Sequence, residues 1–515
     1  MLLHEVVETS AAVAATRSRK EKVAALAACL ARAETAELET VTAYLGGTLR
    51  QRRTGVGWRG AAATVEPADA PTLGVTEVHE AFAGIAALSG AGSQAARAAA
   101  LSHLFSRTTA PEQTWLRGAL TGAVRQGALD ALVQEAVARA ADLPLPAVRR
   151  AAMLAGGTVP VVVAAFTGGE RALAAVGLEV GRPVLPMLAS SAPDLAAALA
   201  KAGGGPDHPV AVDVKLDGIR IQVHRDGDDV RIATRSLDDI TDRLPEVVAI
   251  VRALLADRLV LDGEVIALDD DGRPRPFQET ASRTAQDVGV VVTPYFFDLL
   301  HLDDRDLLDA PGTERQAALS ALVPDTHLVP RLVTDDVAAA EEFTRRALAD
   351  GHEGVVVKNL AAAYAAGRRG SAWVKVKPVH TLDLVVLAVE WGSGRRQGWL
   401  SNIHLGARDP GSGGFVMLGK TFKGMTDEML AWQTERFTGL ATSPVDRSSY
   451  VVHVRPEQVV EIALDGLQRS SRYPGGIALR FARVVRYRDD KSASEADTLA
   501  EVKEAFGDVT AGPRP

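Results

Sequence analysis

The fold class read from the sequence is multidomain: an all-α region, then an α+β region built on antiparallel sheets, then an all-β region forming a small barrel. Three observations predict it. Apolar residues keep helical spacing from the N-terminus to about residue 175, as in Val23, Leu26, Ala27 and Leu30. A Pro/Gly-marked passage, residues 176–183, separates this half from text with strand-like alternation. After Pro378 the apolar runs shorten and the turns between them lengthen. At 515 residues the chain exceeds a single core and fits roughly three domains of about 150 residues each. The boundaries are placed at 1–178, 179–379 and 380–515.

In the helical region the start signals agree with the periodicity. Ser10 precedes the first periodic run, Ser93 precedes Gln94, and Thr109-Ala110-Pro111-Glu112 opens a helix carrying Trp115 and Leu116. Arg53-Thr54-Gly55-Val56-Gly57 reads as an interhelical turn. One more helix, 194–201, and the loop Gly203-Gly204-Gly205-Pro206 lead into the α+β region. There Val210, Val212 and Val214 fall on one strand face, with Asp213 and Lys215 on the other. Ile219, Ile221 and Val223 repeat the pattern after Gly218, as do Val230 and Ile232 after the Asp226-Gly227-Asp228 turn, giving an antiparallel meander. Further strands are expected over 259–268, 290–298, 354–358 and 373–377, and a helix over 334–350. The all-β region is expected to hold strands at 384–389, 403–407, 416–419, 451–454, 459–463 and 479–487.

Composition excludes several classes. Hydrophobic residues at 47% and charged residues at 24% are ordinary for a globular chain, and no apolar run approaches the ~20 residues of a membrane span. The single cysteine, Cys29, excludes a disulfide framework and a four-cysteine zinc module. With no basic start feeding an apolar stretch, a cytoplasmic protein is expected. The net charge of −8 argues against a generally basic coat. Locally, however, Arg469, Arg472, Arg480, Arg483, Arg486, Arg488 and Lys491 face only Asp489 and Asp490 in the sequence.

Chemistry-bearing residues gather from Lys215 onward. Lys215 shares its strand face with Asp213 and Asp217, and Gly218 permits the turn that leaves this face open. Alone, Lys-x-Asp-Gly reads more readily as an ion-paired structural lysine. Downstream, Asp262 and Glu264 share a face, and Glu353 heads a further strand. Carboxylates of this kind are the hard oxygen ligands that magnesium takes in phosphoryl and nucleotidyl transfer. Asp262 is left out of the metal assignment, because it also suits a backbone-bracing role. Trp373-Val374-Lys375-Val376-Lys377 aims two lysines at one face, where paired cations suit a triphosphate and favour a neutral neighbouring lysine nucleophile.

The ordered set Lys215-Leu216-Asp217-Gly218-Ile219-Arg220, Thr234-Arg235-Ser236, Asp262-Gly263-Glu264, Phe297-Asp298, Glu353-Gly354-Val355-Val356-Val357-Lys358 and Trp373-Val374-Lys375-Val376-Lys377 resembles the nucleotidyltransferase motifs of ATP-dependent DNA ligases. Residues 479–491 resemble the family's last motif, in its oligonucleotide-binding (OB-fold) domain. The N-terminal half is similar to the helical DNA-binding domain of larger members, and the whole pattern to the bacterial, actinobacterial type. The resemblance implies a helical DNA-binding domain, a nucleotidyltransferase (adenylation) domain and a C-terminal OB-fold, sealing nicks in duplex DNA with ATP and magnesium as a monomer at the bacterial nucleoid. It implies Lys215 as the nucleophile that takes AMP, Asp213 near the adenine amino group, Phe297 stacked on adenine, and Glu264 at the ribose or metal. It further implies phosphate contacts from Arg220, Arg235, Arg369, Lys375 and Lys377, Glu353 at a metal, and a mobile role for Arg480 and Lys491 with a hinge at 380–384. Arg50, Arg52, Arg53, Arg117 and Arg125 are the helical region's candidates for DNA phosphates. The family usually has glutamate where this chain has Asp213, one methylene shorter.

Other readings share parts of this pattern. RNA ligases and capping enzymes share the nucleotidyl-lysine strand, capping enzymes use GTP and have no comparable helical half, and NAD-dependent ligases bring the zinc module that one cysteine excludes. A non-catalytic nick-binding scaffold would not be expected to retain Lys215, Glu264, Glu353, Lys375 and Lys377 together.

Overall fold

The computed structural model describes residues 1–506 except 52, 62–63, 128–129, 206, 286–289, 366–368 and 447–448. From Leu3–Ala15 to Val159–Ala174 the described residues form helices alone, apart from an isolated bridge between Leu2 and Gly74. Their apolar stripes meet in one core that includes Leu3, Val41, Tyr44, Phe82, Phe105 and Leu116. The helix Ala110–Leu120 starts as its sequence predicts: the Thr109 amide and hydroxyl both donate to Glu112 Oε2 at 2.8 Å. Ser10 behaves otherwise. It lies inside the helix Leu3–Ala15, where its hydroxyl donates to Gln126 at 2.5 Å and accepts from Trp115 Nε1 at 3.2 Å. A buried tryptophan N–H needs an acceptor, and that requirement outweighs the cost of a mid-helix serine.

The helix Leu145–Leu154 belongs to two cores. Its Met153 and Leu154 leave the helical core and pack with Val184, Met187, Val214, Leu216 and Trp373. Arg150 reinforces this seam with a bidentate pair to Asp309 at 2.8 and 2.6 Å. The expected break at 176–183 is a connector pinned to the next sheet. Gln222 Oε1 accepts from the Val184 amide at 2.8 Å, and buried His224 Nδ1 accepts from the Gly181 amide at 3.1 Å.

The middle region contains two five-stranded sheets. One has the order β1 (Leu188–Ser191), β10 (Arg369–Val376), β9 (Val355–Lys358), β2 (Val210–Val214), β8 (Arg331–Thr334). The other runs β4 (Asp229–Thr234), β3 (Ile219–Asp226), β5 (Arg258–Ala267), β6 (Val292–Leu302), β7 (Arg305–Asp306). The antiparallel expectation holds except at β1, which pairs in parallel with β10. β1 went unread because Leu188-Ala189-Ser190-Ser191 has neither alternation nor β-branched residues.

In the C-terminal region β11 (His380–Trp391), β12 (Leu400–Asp409), β13 (Gly414–Thr421), β14 (Val451–His453), β15 (Val459–Leu464) and β18 (Arg483–Tyr487) form one antiparallel sheet. β16 (Gly466–Arg469) and β17 (Ile477–Arg480) form a separate hairpin. The expected strand 479–487 is thus broken in two, at Phe481, whose φ of 55° takes the chain out of extended geometry. The all-β expectation also misses the helix Asp427–Leu440, which buries Leu430, Phe437 and Leu440 and is capped by Thr426 on the Met429 amide. Residues 380–384 are no hinge in this state: they are regular β11, with Asp383 held by Arg488 at 3.0 Å and Lys491 at 2.6 Å. Between β10 and β11 only residues 377–379 lie outside strands.

His224 supplies a test of the connector. Burial first, then Arg231 and His301, depress its imidazole to about 3. The unfolded chain takes up this proton near pH 6.5, so stability is full above that value and is lost as pH falls toward the folded value, by roughly a few kcal/mol. In His224→Asn, whose Oδ1 can accept from Gly181, thermal melts between pH 7 and 5 should show a flatter pH slope than wild type; equal slopes would reject this origin.

Candidate active site

β2 is central in its sheet, between β8 and β9, and all five of its residues are buried. The sequence alternation therefore does not separate a core face from an open face here. Asp213, at 2% exposure, is a buried carboxylate. Directly across the ladder Arg331 donates to it through Nε at 2.5 Å and Nη2 at 2.6 Å, and Lys358 from β9 lies 2.7 Å away. Burial works to raise this carboxyl; Lys358 and Arg331 overcome it and hold it below the usual range. The side chain expected beside an adenine amino group is thus engaged by two cations.

Just beyond β2 the chain leaves strand geometry, and this frees Lys215. Its backbone is still tied: the Lys215 amide donates to Gly354 O at 2.8 Å and its carbonyl accepts from the Glu353 amide at 3.2 Å. The same turn brings Lys215 Nζ onto Glu353 Oε2, while Lys377 Nζ donates to Glu353 Oε1 at 2.8 Å. Burial again works upward on the Glu353 carboxyl, and the two lysines overcome it and hold it low. Gly218 follows because nothing larger fits: a Cβ there would stand 2.2 Å from Val265 O. Its amide donates to Glu264 Oε1 at 2.8 Å, and burial pushes the Glu264 carboxyl up against the pull of Lys215 and Arg220.

One wall is aromatic. Phe297 and Trp373 meet edge to face at 5.9 Å, with Lys358 Nζ 4.4 and 4.2 Å from their ring centres. Arg220 lies over the same two rings at 5.5 and 5.6 Å. Its guanidinium, expected on a phosphate, is instead bidentate on buried Asp262 at 3.0 and 2.7 Å and donates to Met187 O at 2.6 Å. Tyr364 donates to the same Asp262 at 2.5 Å, so Asp262 braces side chains rather than the backbone expected.

The remaining expected residues fall around one cleft of about 1020 Å³. Lys375 and Lys377 line it from β10 and the residue just past it, and exposed Arg235 lines it as well. Arg369 contributes its backbone to β10; its side chain is outside the described residues, as is Arg52. The C-terminal region closes the cleft, with Arg480 Nη1 on Asp217 Oδ2 at 2.8 Å and its guanidinium 5.4 Å from the Phe277 ring. The basic cluster read from 469–491 is divided. Arg480 enters the cleft, Arg486 pairs with Glu461 at 2.7 Å, and Arg488 and Lys491 share Asp383. In the helical region Arg117 is half-buried on Ala61 O and Gln113, Arg50 pairs with Glu39, and Arg53 and Arg125 are exposed.

Comparison with known proteins matches this geometry to a family. The "ATP dependent DNA ligase domain" model matches residues 186–377, the "ATP dependent DNA ligase C terminal region" 396–491, and the "DNA ligase N terminus" 59–138. A "Probable DNA ligase" of Nocardioides sp. is 71% identical over 512 residues, covering 98% of this chain and 99% of its own length. The chain belongs to the ATP-dependent DNA ligase family. A second "Probable DNA ligase", of Kineococcus radiotolerans, is 65% identical with the same coverage. The solved structure "Pmar-Lig_PreS3" aligns over 94% of this ligase and 99% of its own chain, with a TM-score of 0.61 at 17% identity, a likeness of fold. The resemblance drawn from the ordered motifs, actinobacterial type included, is borne out.

Arg331, Trp373, Tyr364 and Asp465 were not singled out as site residues in the sequence of this ligase. Trp373 heads a quoted motif and was signalled; the others act through contacts more than 80 residues away in sequence, which no local spacing reveals. Asp213→Ala would leave Arg331 and Lys358 without their buried carboxylate, at a cost of about 3–5 kcal/mol. Urea unfolding followed by intrinsic tryptophan fluorescence should show that loss; a change under about 1 kcal/mol would reject the pairing as structural.

Proposed function

We propose that this ligase seals nicks in duplex DNA through AMP carried on Lys215. The observation supporting it most strongly is the cleft itself: a half-buried lysine at the end of β2 shares a carboxylate with a second lysine, opposite an arginine brought in by the C-terminal region. Lys215 Nζ attacks the α-phosphorus of ATP as the free amine, so it first leaves Glu353. The N–P bond forms as the bond from the α-phosphorus to the bridging oxygen breaks, and pyrophosphate departs. A 5′-phosphate oxygen of the nick next attacks the same phosphorus, breaking the bond to Lys215. The 3′-hydroxyl then attacks the 5′-phosphorus, closes the strand and expels AMP.

The side chains divide this work. Phe297, held by Trp373 and Lys358, offers a ring for adenine, and Glu264 a carboxylate for ribose or metal. Lys375, Lys377, Arg235, Arg369 and Arg480 supply positive charge for the phosphates. Arg220 and Asp213 fit a supporting part better, since their polar atoms are committed to Asp262, Arg331 and Lys358. No group of three or more His, Cys, Asp or Glu side chains suited to caging an ion exists among the described residues. Glu264 and Glu353 fit magnesium in its other mode, one or two carboxylates completed by substrate phosphates. When bound, magnesium supplies charge neutralisation of the triphosphate. The C-terminal region fits an OB-fold: its sheet begins at β13 and ends at β18, and the Val484 amide returns to Lys423 O at 2.9 Å. We take the ligase to act as a monomer on the bacterial nucleoid; among the described residues no helix is long and apolar enough to cross a membrane.

Incubation with magnesium and ATP labelled at the α-phosphate should leave a covalent label that Lys215→Ala lacks, that a chelator prevents and that nicked duplex removes. Absence of label on the wild-type chain would refute the proposal. Nick affinity should fall steeply with salt, by roughly one counterion per phosphate contact. An affinity unchanged between about 50 and 200 mM salt would refute phosphate-led binding.

A further inference from the structure

Lys377 has a second anionic neighbour that the proposed chemistry leaves without a role. Asp465 Oδ2, from the C-terminal region, lies 3.4 Å from Lys377 Nζ across the cleft mouth. It is aimed from a constrained place. Asp465 sits between β15 and β16, its amide donates to Arg480 O at 3.1 Å, and Gly466 beside it has a φ of 154° that side-chain-bearing residues rarely adopt. The base of the β16–β17 hairpin therefore presents a carboxylate and a guanidinium together. Arg480 meets the adenylation region's Asp217, and Asp465 meets its Lys377.

We propose that Asp465 is a positioning residue that occupies Lys377 in place of a phosphate, holding the closed arrangement until a nucleoside triphosphate displaces it. The inference rests on Lys377 being a phosphate ligand, as above. Lys377 then has one fixed partner, Glu353, and one exchangeable partner, Asp465, which is the more exposed of the two carboxylates at 38% against 16%. An incoming polyphosphate must expel Asp465 and work against its charge. The carboxylate thus weakens nucleotide binding, and it also marks the position that an anion takes on Lys377. Its effect belongs to binding rather than to the attack of Lys215, since its carboxylate reaches Lys377 and not Lys215.

The test is the initial rate of lysine labelling across ATP concentrations, in wild type, Asp465→Asn and Asp465→Glu, with thermal melts confirming that both variants fold. Asp465→Asn should lower KM for ATP about threefold to fivefold, the scale of one partly exposed ion pair. Its rate at saturating ATP should stay within about twofold of wild type, and the KM difference should shrink in ~0.5 M salt by screening. Asp465→Glu, which keeps the charge, should keep the wild-type KM. An unchanged or raised KM in Asp465→Asn overturns the proposal, as does an equal fall in both variants. These outcomes are distinct from failure of the ligase reading, in which wild type itself takes no label.

Discussion

Glu353 holds two lysines with one carboxylate, and the cleft is organised around that shortage of negative charge. Lys215 reaches it from the end of β2 and Lys377 from the end of β10, while Glu353 itself precedes β9. Three neighbouring strands of one sheet are thus drawn to a common point. Two ammonium groups that share one carboxylate repel each other. One carboxylate cancels one of the two positive charges, so the trio keeps a net positive charge that suits a polyanion. A second carboxylate in a fixed position would have made a satisfied, inert network. Asp465 comes close to being one, but it approaches from a different region and is more open to water.

A similar logic, with the charge balance reversed in emphasis, sets the rigid side of the cleft. Asp213 and Asp262 are almost fully buried, and each is met by more than one donor. Buried pairs of this kind contribute little net stability, yet losing one partner is costly, so they enforce one arrangement. Here they fix Lys358 and Arg220 against Phe297 and Trp373. The aromatic wall is therefore held in place by ions that themselves do not face the cleft freely.

Much of this was legible in the sequence where function is carried by strand-end residues in order. Lys215, Glu264, Glu353, Lys375 and Lys377 lie within a few residues of strand ends or strand centres that alternation reveals, and they converge because neighbouring strands pair. What escaped was non-local or two-sided. β2 is covered on both faces, so its alternation predicted an open Asp213 face where the structure buries it. The commitments of Arg220 to Asp262 and of Asp213 to Arg331 depend on residues of neighbouring strands 42 and 118 positions away. The helix Asp427–Leu440 was hidden by its setting among short strands, although Thr426 and the spacing of Leu430, Phe437 and Leu440 are ordinary helix signals.

The two seams between regions differ in kind, and the difference bears on how readily each would separate. Between the helical and adenylation regions, Met153 and Leu154 are buried in a shared apolar core, each at about 1.5–3 kcal/mol of burial. Between the adenylation and C-terminal regions the contacts include polar ones, Arg480 to Asp217, Lys377 to Asp465 and Gln278 to Arg469 O at 3.2 Å, and the Arg480 guanidinium 5.4 Å from the Phe277 ring. Pairs that touch solvent are worth about 0–1 kcal/mol each, and water replaces them readily on separation. Opening the first seam exposes apolar surface, whereas opening the second exchanges ion pairs for hydration. Any motion that admits DNA to the cleft therefore takes the second seam, and residues 377–379, outside strands and next to Lys377, are where the chain can turn. The lysine proposed to bind a phosphate and the residue that begins this stretch are then the same, and its contact with Asp465 ties it to the C-terminal region.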